Sequence, residues 1–519
     1  MKKIFDLLII KPRDISKLIY ESRNTSISRE RYIDLLKVLS ILIITFSTEY
    51  FLSLSTSGYE VIIKNNSVGN LQMSRASWFL NGLAIFFFCN GFSNSIAWYS
   101  NIGRDGSVWE FLANRINSIL GPVLYLIVFG SIFIHFSISN GYFPEYFVTE
   151  LDGLHPVSEF LLWPLWLVSI YLVVVMCSPV TAFLHKKNSL VSVFTILTLF
   201  LSFDYITSAD TYSYFRYINY LFFWLFIHQL GYFFADGTLQ NIKKSYYFIV
   251  FVGSYLALYY LSLNEGSLLT VSNFRLTSFT NEDPPTLMML LSSIGLISFI
   301  LLFNNFFESL LNKKYLWYIV CFMNAHIYTY FLWHTFFFVS LYFFDIQIGY
   351  YILFVTFFLL IVGSPERNSF RLAPSLIKRV NPEQPWPLPI KARFSFNKLI
   401  LSWYGAFLIL LGTIQITLGG VGIFGFLVDR QLFFLHGNTF EAISRLIIGM
   451  ILLNITIRSN IYRNGSLFVS STFLLLVILS RPLFGLPLYR LELSFTLFGL
   501  FLCIYSLIVH RNKHNKERV

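Results

Sequence analysis

Three stretches of this chain place ionisable side chains inside sequence suited to a lipid bilayer. RYIDLLKVLSILIITFSTEYFL carries Asp34, Lys37, Thr48 and Glu49, FLANRINSIL carries Arg115, and YTYFLWHTFFFVSLYFF carries His334. A charged side chain at a helix centre in hydrocarbon costs roughly 2.5 kcal/mol or more, so each needs a partner or a task. Asp34 and Lys37, three apart, share one helix face near a membrane surface. Thr48, eleven residues beyond Lys37, lies three turns further along that face, with Glu49 beside it. An imidazole ionises near neutrality and is suited to accepting a proton. Arg115, at the start of its apolar run, is placed to hold a phosphate. Each group also has an ordinary reading. Asp34 and Lys37 can form an interfacial ion pair, Glu49 can face the interface, and Arg115 can belong to a basic loop. His334 can bond a neighbouring backbone carbonyl or Tyr328.

Composition sets the elements that carry these residues. The 519 residues are 55% hydrophobic, 19% aromatic and 13% charged, against roughly 25% charged in a soluble domain. So little polar surface cannot cover a water-soluble core. The expected fold is an all-α polytopic membrane protein. Its formal charge of +11 reads as basic cytoplasmic loops rather than as a nucleic-acid surface. Cys89, Cys177, Cys321 and Cys503 lie in apolar runs without metal spacing, and no metal is expected.

About fourteen apolar segments approach the roughly 20 residues that cross a bilayer, from 33–55 to 491–509, with 315–342 as the ninth. Basic residues cluster in every second loop (Lys186 and Lys187, Lys243 and Lys244, Lys313 and Lys314), whereas the 139–160 loop has no Lys or Arg. The charge rule therefore puts both termini in the cytoplasm. Residues 3–22 read as an amphipathic surface helix within a 1–30 leading segment, not as a signal peptide. The Pro-rich, basic segment 365–398 reads as a cytoplasmic linker between a ten-span unit, 31–364, and a four-span extension with a basic tail, 399–519.

Several stretches recur in order: RYIDLLK opening the first span, FFFCNGF in the second, FLANRINSILGPVLY opening the third, then LWPLWLVSIYLVV, YLFFWLFIHQLGYFF and YFLWHTF. This order resembles the membrane-bound acyltransferase 3 family over residues 30–364. The family's patterns are RxxDxLRAxAxxxVxxxH, FFxxSGF, FLxxRxxRIxPxY, PLWFL and YLWH. Asp34, Gly91, Phe92, Arg115 and His334 keep the pattern. Lys37 stands where the family has arginine, Thr48 where it has histidine, Asn90 in place of the serine and Ser118 in place of the second arginine. Lysine retains charge but loses the bidentate fork suited to phosphate, and threonine removes a titratable group.

The resemblance implies transfer of an acyl group, acetyl above all, from cytoplasmic acyl-CoA to a hydroxyl of an envelope polysaccharide or lipid-linked glycan. It implies a multi-pass protein of a bacterial inner or plasma membrane, in contact with membrane lipid and with a homodimer left open. Acyl transfer needs a base and a stabilised oxyanion. With Thr48 at the family's histidine position, three candidates for the base remain: His334, which is favoured, Glu49 beside Thr48 if burial raises its pKa, and His326 as an assistant or a residue bonded to a neighbouring carbonyl. His326 is expected two turns before His334 on nearly the same helix face. Lys37, Arg115 and Asp34 would serve the acyl-CoA side. Two other readings stay open: a catalytically silent relative that handles a lipid-linked substrate, and a transporter or flippase with Glu49, Arg216 and Glu441 along its path.

Overall fold

The computed structural model describes residues 19–20, 22–25, 29–57, 60–65, 71–139, 161, 163–209, 215–264, 285–344, 348–363, 366, 396–419, 430–432, 435–437, 439–457, 463–483 and 490–516. In chain order the elements are α1 (Arg31–Phe51), the antiparallel hairpin β1 (Leu52–Ser57) and β2 (Glu60–Asn65), and α2 (Leu71–Ser77). Then come α3 (Gly82–Ile102), α4 (Val108–Ser139), α5 (Pro164–Lys187), α6 (Ser189–Ala209), α7 (Phe215–Ala235) and α8 (Lys244–Asn264). They are followed by α9 (Leu287–Leu302), α10 (Asn304–Leu311), α11 (Lys314–Asn324), α12 (Ile327–Phe344) and α13 (Ile348–Val362). The last are α14 (Phe396–Gly419), the hairpin β3 (Arg430–Leu432) and β4 (Leu435–Gly437), α15 (Thr439–Ile457), α16 (Arg463–Leu483) and α17 (Arg490–Lys516).

A helix lies on every expected apolar segment. Among the described residues five helices are long and apolar enough to cross a membrane, or six if the bent pair α9–α10 counts as one. Apolar side chains on α6 and α8 stay exposed, Phe194 at 61% and Ile249 at 62%, which suits a lipid solvent rather than water. Most of the expected surface helix 3–22, the 139–160 loop and most of the 365–398 linker lie outside the described residues.

Three local features differ from the sequence expectation. The first span ends at Phe51, because Leu52 and Leu54 alternate with serines and the backbone pairs as a hairpin from Leu52↔Asn65 to Ser57↔Glu60. The eighth segment bends by 52° between α9 and α10. There the apolar run gives way to Asn304 and Asn305, and the hydroxyl of Tyr32 takes up the Ile300 carbonyl at 2.5 Å. The ninth segment is two helices, α11 and α12, broken at Ala325 and His326.

Contacts divide the chain into two compact units. One holds residues 1–100, 124–126 and 177–385, and the other holds 101–123, 127–176 and 386–519. In the first, α1 packs against α10, α11 and α12. Gly82 lets α3 approach α1 closely, since a Cβ there would sit 2.5 Å from the Ser40 carbonyl oxygen. Gly91 and Gly231 do the same between α3 and α7, each lying against the other helix's backbone, with Phe87 stacked on Trp224 at 4.2 Å. This gives the glycine of FFFCNGF a packing reason: any side chain there would strike the His228 carbonyl.

Candidate functional site

The lower end of α1 is closed by a charged clamp. Asp34 is 3% exposed. Arg29 grips it with both forks, Nε to Oδ2 at 2.6 Å and Nη2 to Oδ1 at 2.9 Å, the bidentate geometry that makes such pairs strong. Asn324, the last residue of α11, adds a third bond from Nδ2 to Oδ1 at 3.0 Å. The Asp34–Lys37 spacing pointed to neither partner. Asp34 thus ties the opening of α1 to the break between α11 and α12.

That break creates a helix N-terminus whose backbone N–H groups need acceptors. Glu366 supplies them: Oε1 accepts from Tyr328 N at 2.9 Å and Oε2 from Thr329 N at 2.6 Å. A carboxylate is the favoured group at this end of the helix dipole. His326 sits in the break, not on a shared helix face with His334. Its Nδ1 donates to the Phe322 carbonyl at 2.9 Å.

His334 lies seven residues into α12, about 10 Å along it at 1.5 Å per residue. It is fully buried. Its Nδ1 faces the Phe331 carbonyl, and a carbonyl only accepts, so Nδ1 carries the proton and Nε2 is the basic nitrogen of the neutral ring. The ordinary reading of this histidine is therefore half met: one nitrogen is bonded locally, and that bond fixes the tautomer of the other.

On α1, Lys37 is half-buried one turn above Asp34. Thr48 is buried and donates its hydroxyl proton to the Ile44 carbonyl at 2.9 Å. Glu49 lies within α1, but its side chain is outside the described residues, as is that of Arg216 in α7. Asp34, Lys37, Thr48 and His334 thus belong to one unit, on helices that pack together. Arg115, on α4, belongs to the other unit. Two residues further on, Asn117 exchanges reciprocal amide bonds with Asn454 of α15 at 2.8 and 2.9 Å.

Two further polar clusters escaped the sequence reading. Asn94 of α3 bonds Nε2 of His228 on α7 at 3.0 Å, both fully buried. At the ends of α5 and α7, His185 lies between Gln229 at 2.7 Å and Asp236 at 3.1 Å. Burial alone would raise the Asp236 carboxyl, yet hydrogen bonds from His185 and Thr238 outweigh it and hold the group below the usual aspartate range. The lone histidine in a basic loop was the available signal; its partner lies 51 residues away.

A family model described as an acyltransferase domain, that of the acyltransferase 3 family, matches residues 30–365. The chain belongs to the acyltransferase 3 family. The matched region of this acyltransferase 3 protein runs from the residue before α1 to the residue before Glu366, so it contains Asp34, Asn324, Lys37, Arg115 and His334, while Arg29 lies just ahead of it and α14–α17 beyond it. No curated protein and no solved structure matches the chain.

Proposed function

We propose that this protein is a membrane O-acyltransferase. It takes an acetyl or related acyl group from cytoplasmic acyl-CoA and gives it to a hydroxyl of an envelope polysaccharide or lipid-linked glycan. In this reading ten spans precede the linker and four follow it, both termini face the cytoplasm, and the membrane is a bacterial inner or plasma membrane.

The observation that carries the reading is His334. It is a buried histidine in an acyltransferase 3 chain, on a helix packed along α1, with Nδ1 bonded to a carbonyl and Nε2 therefore the basic nitrogen of the ring. Nε2 takes the acceptor's hydroxyl proton as its oxygen attacks the thioester carbonyl. The tetrahedral intermediate collapses by breaking the C–S bond, and the imidazolium returns the proton to the departing sulfur. The products are the O-acyl ester and free CoA. Lys37 holds a donor phosphate, and Asp34 keeps the opening of α1 in place through Arg29. Thr48 spends its proton on Ile44 and serves as packing in this scheme. Glu49 is the second candidate base.

The replacement of the family's first-span histidine by Thr48 favours a second reading, a silent relative that binds or moves a lipid-linked substrate. Membranes carrying the protein, given labelled acetyl-CoA, separate the two. Label entering the lipid-linked or surface glycan fraction supports transfer. No label even after Lys37→Arg with Thr48→His, together with no thermal stabilisation by acetyl-CoA, leaves the silent relative.

A further inference from the structure

The first unit holds an open cavity of about 560 Å³ that shares Arg29 with the clamp, within the size range of small-molecule sites. Three segments far apart in sequence form it: residues 29–31 before and at the start of α1, the 239–241 turn after α7, and α10 with its C-terminal end. Every lining residue is polar: two arginines, two glutamates and four carboxamides. Such a wall suits neither an acyl chain nor a lipid tail.

Its two arginines are fixed in advance. Arg31 donates from Nη1 to the Leu311 carbonyl at 3.1 Å, and its guanidinium lies over the Trp317 ring at 4.9 Å. Neither contact neutralises its charge, and Arg31 forms no ion pair among the described residues. Arg29 commits Nε and Nη2 to Asp34, which leaves Nη1 as a further donor. Asn304 adds an acceptor to this wall: its Oδ1 is buried without a hydrogen-bond partner among the described residues, and a ligand in the cavity would supply one.

A ligand for this wall needs an anionic group for Arg31 and a flat edge with both donors and acceptors for the carboxamides. Adenine has that edge, and an Asn or Gln amide pairs with its amine and ring nitrogen bidentately. A glutamate such as Glu308 accepts from the same amine. We infer that this cavity receives the adenosine-phosphate end of the acyl donor, with Arg31 on a phosphate and Asn304, Asn305 and Gln240 at the base. This rests on the acyl-CoA reading above and gives its donor an address. Lys37 stands six residues above Arg31 on α1, about 9 Å by helix rise. The donor then rises from the cavity past Lys37, its thioester directed into the bundle where α12 carries His334.

The test is calorimetric binding of CoA, adenosine 3′,5′-bisphosphate and inorganic phosphate to the purified full chain. It compares wild type, Arg31→Gln and Asn305→Leu; Asn305 is exposed, so that variant does not depend on the Arg31–Trp317 contact for its fold. The expected result is binding of CoA and the bisphosphate, weakened about 10-fold or more by Arg31→Gln and a few-fold by Asn305→Leu, with inorganic phosphate far weaker. CoA binding that neither variant changes overturns the cavity assignment and leaves the acyl-CoA reading standing. Phosphate competing as well as the nucleotide makes the cavity a plain anion or lipid-headgroup site and overturns the adenine assignment. No CoA binding by wild type removes both.

Discussion

The opening of α1 and the C-terminal helices α14–α17 both bury charge in apolar surroundings, and they do so in opposite ways. In the C-terminal helices Glu441 and Arg445, one turn apart on α15, pair with each other at 3.5 Å, and Arg445 also binds Gln415 of α14. The same helices share an apolar core of Leu401, Leu408, Ile448, Leu452, Leu467 and Leu474. On α1 and α12, and just ahead of them, the polar groups are held by a few fixed partners. Arg29 holds Asp34 with two nitrogens and keeps a third, Arg31 is fixed by a carbonyl and a ring, and His334 is fixed through Nδ1. Polar groups that satisfy one another hold helices together. The donor that Arg29 keeps and the charge of Arg31 are arranged to meet something else. By that contrast Glu441, a candidate for a transport path on sequence grounds, has a packing partner in Arg445 on its own helix.

The contrast can be broken most severely at Glu441. Glu441→Leu leaves the buried Arg445 without its carboxylate and is expected to cost about 3–5 kcal/mol, read by thermal or denaturant unfolding, with transfer per folded molecule unchanged. A loss of transfer without a loss of stability would move Glu441 into the functional group. At the cap of α12 the expected cost is smaller. Glu366→Gln weakens two charge-assisted bonds to backbone N–H groups and is expected to cost about 1–3 kcal/mol, and it also slows transfer because it loosens the helix of His334. Unchanged stability would mean the cap is dispensable.

The smallest effect is expected at Asp236. Its folded carboxyl titrates below the ordinary range, so its contribution to stability is present above that range and is lost as acid protonates the group. Melting temperatures of wild type and Asp236→Asn should differ at about pH 5 and converge as the pH falls below the usual aspartate value near 3.9. A difference that grows with acid would reverse the sign and refute the His185–Asp236 bond as a stabilising one.

Much of the scaffold was legible because apolar runs of spanning length mark helices without help from tertiary contacts. The breaks were not. Hydropathy runs nearly uninterrupted through Asn324, Ala325 and His326, and what ends the helix there is a set of partners remote in sequence: Asp34 for Asn324, 290 residues away, and Glu366 for the next N-terminus. At the site, Asp34, Lys37 and His334 were visible as charge in hydrocarbon. The partners of Asp34, Arg29 and Asn324, and the cavity between 29–31, 239–241 and α10, depend on how the chain folds back before and after its spans. The hairpin after Phe51 was written in the alternation LSLSTS, but it reads as a span when only hydropathy is weighed.

The central claim is that His334 is the base of an acyl transfer. Wild type and His334→Ala, brought to equal amounts of folded protein, should be given labelled acetyl-CoA with membranes that supply glycan acceptors. The account predicts label transfer by wild type and a fall of roughly 10²- to 10⁴-fold in the variant, with acetyl-CoA still bound. Equal transfer by the two proteins would contradict it and shift the chemistry to Glu49.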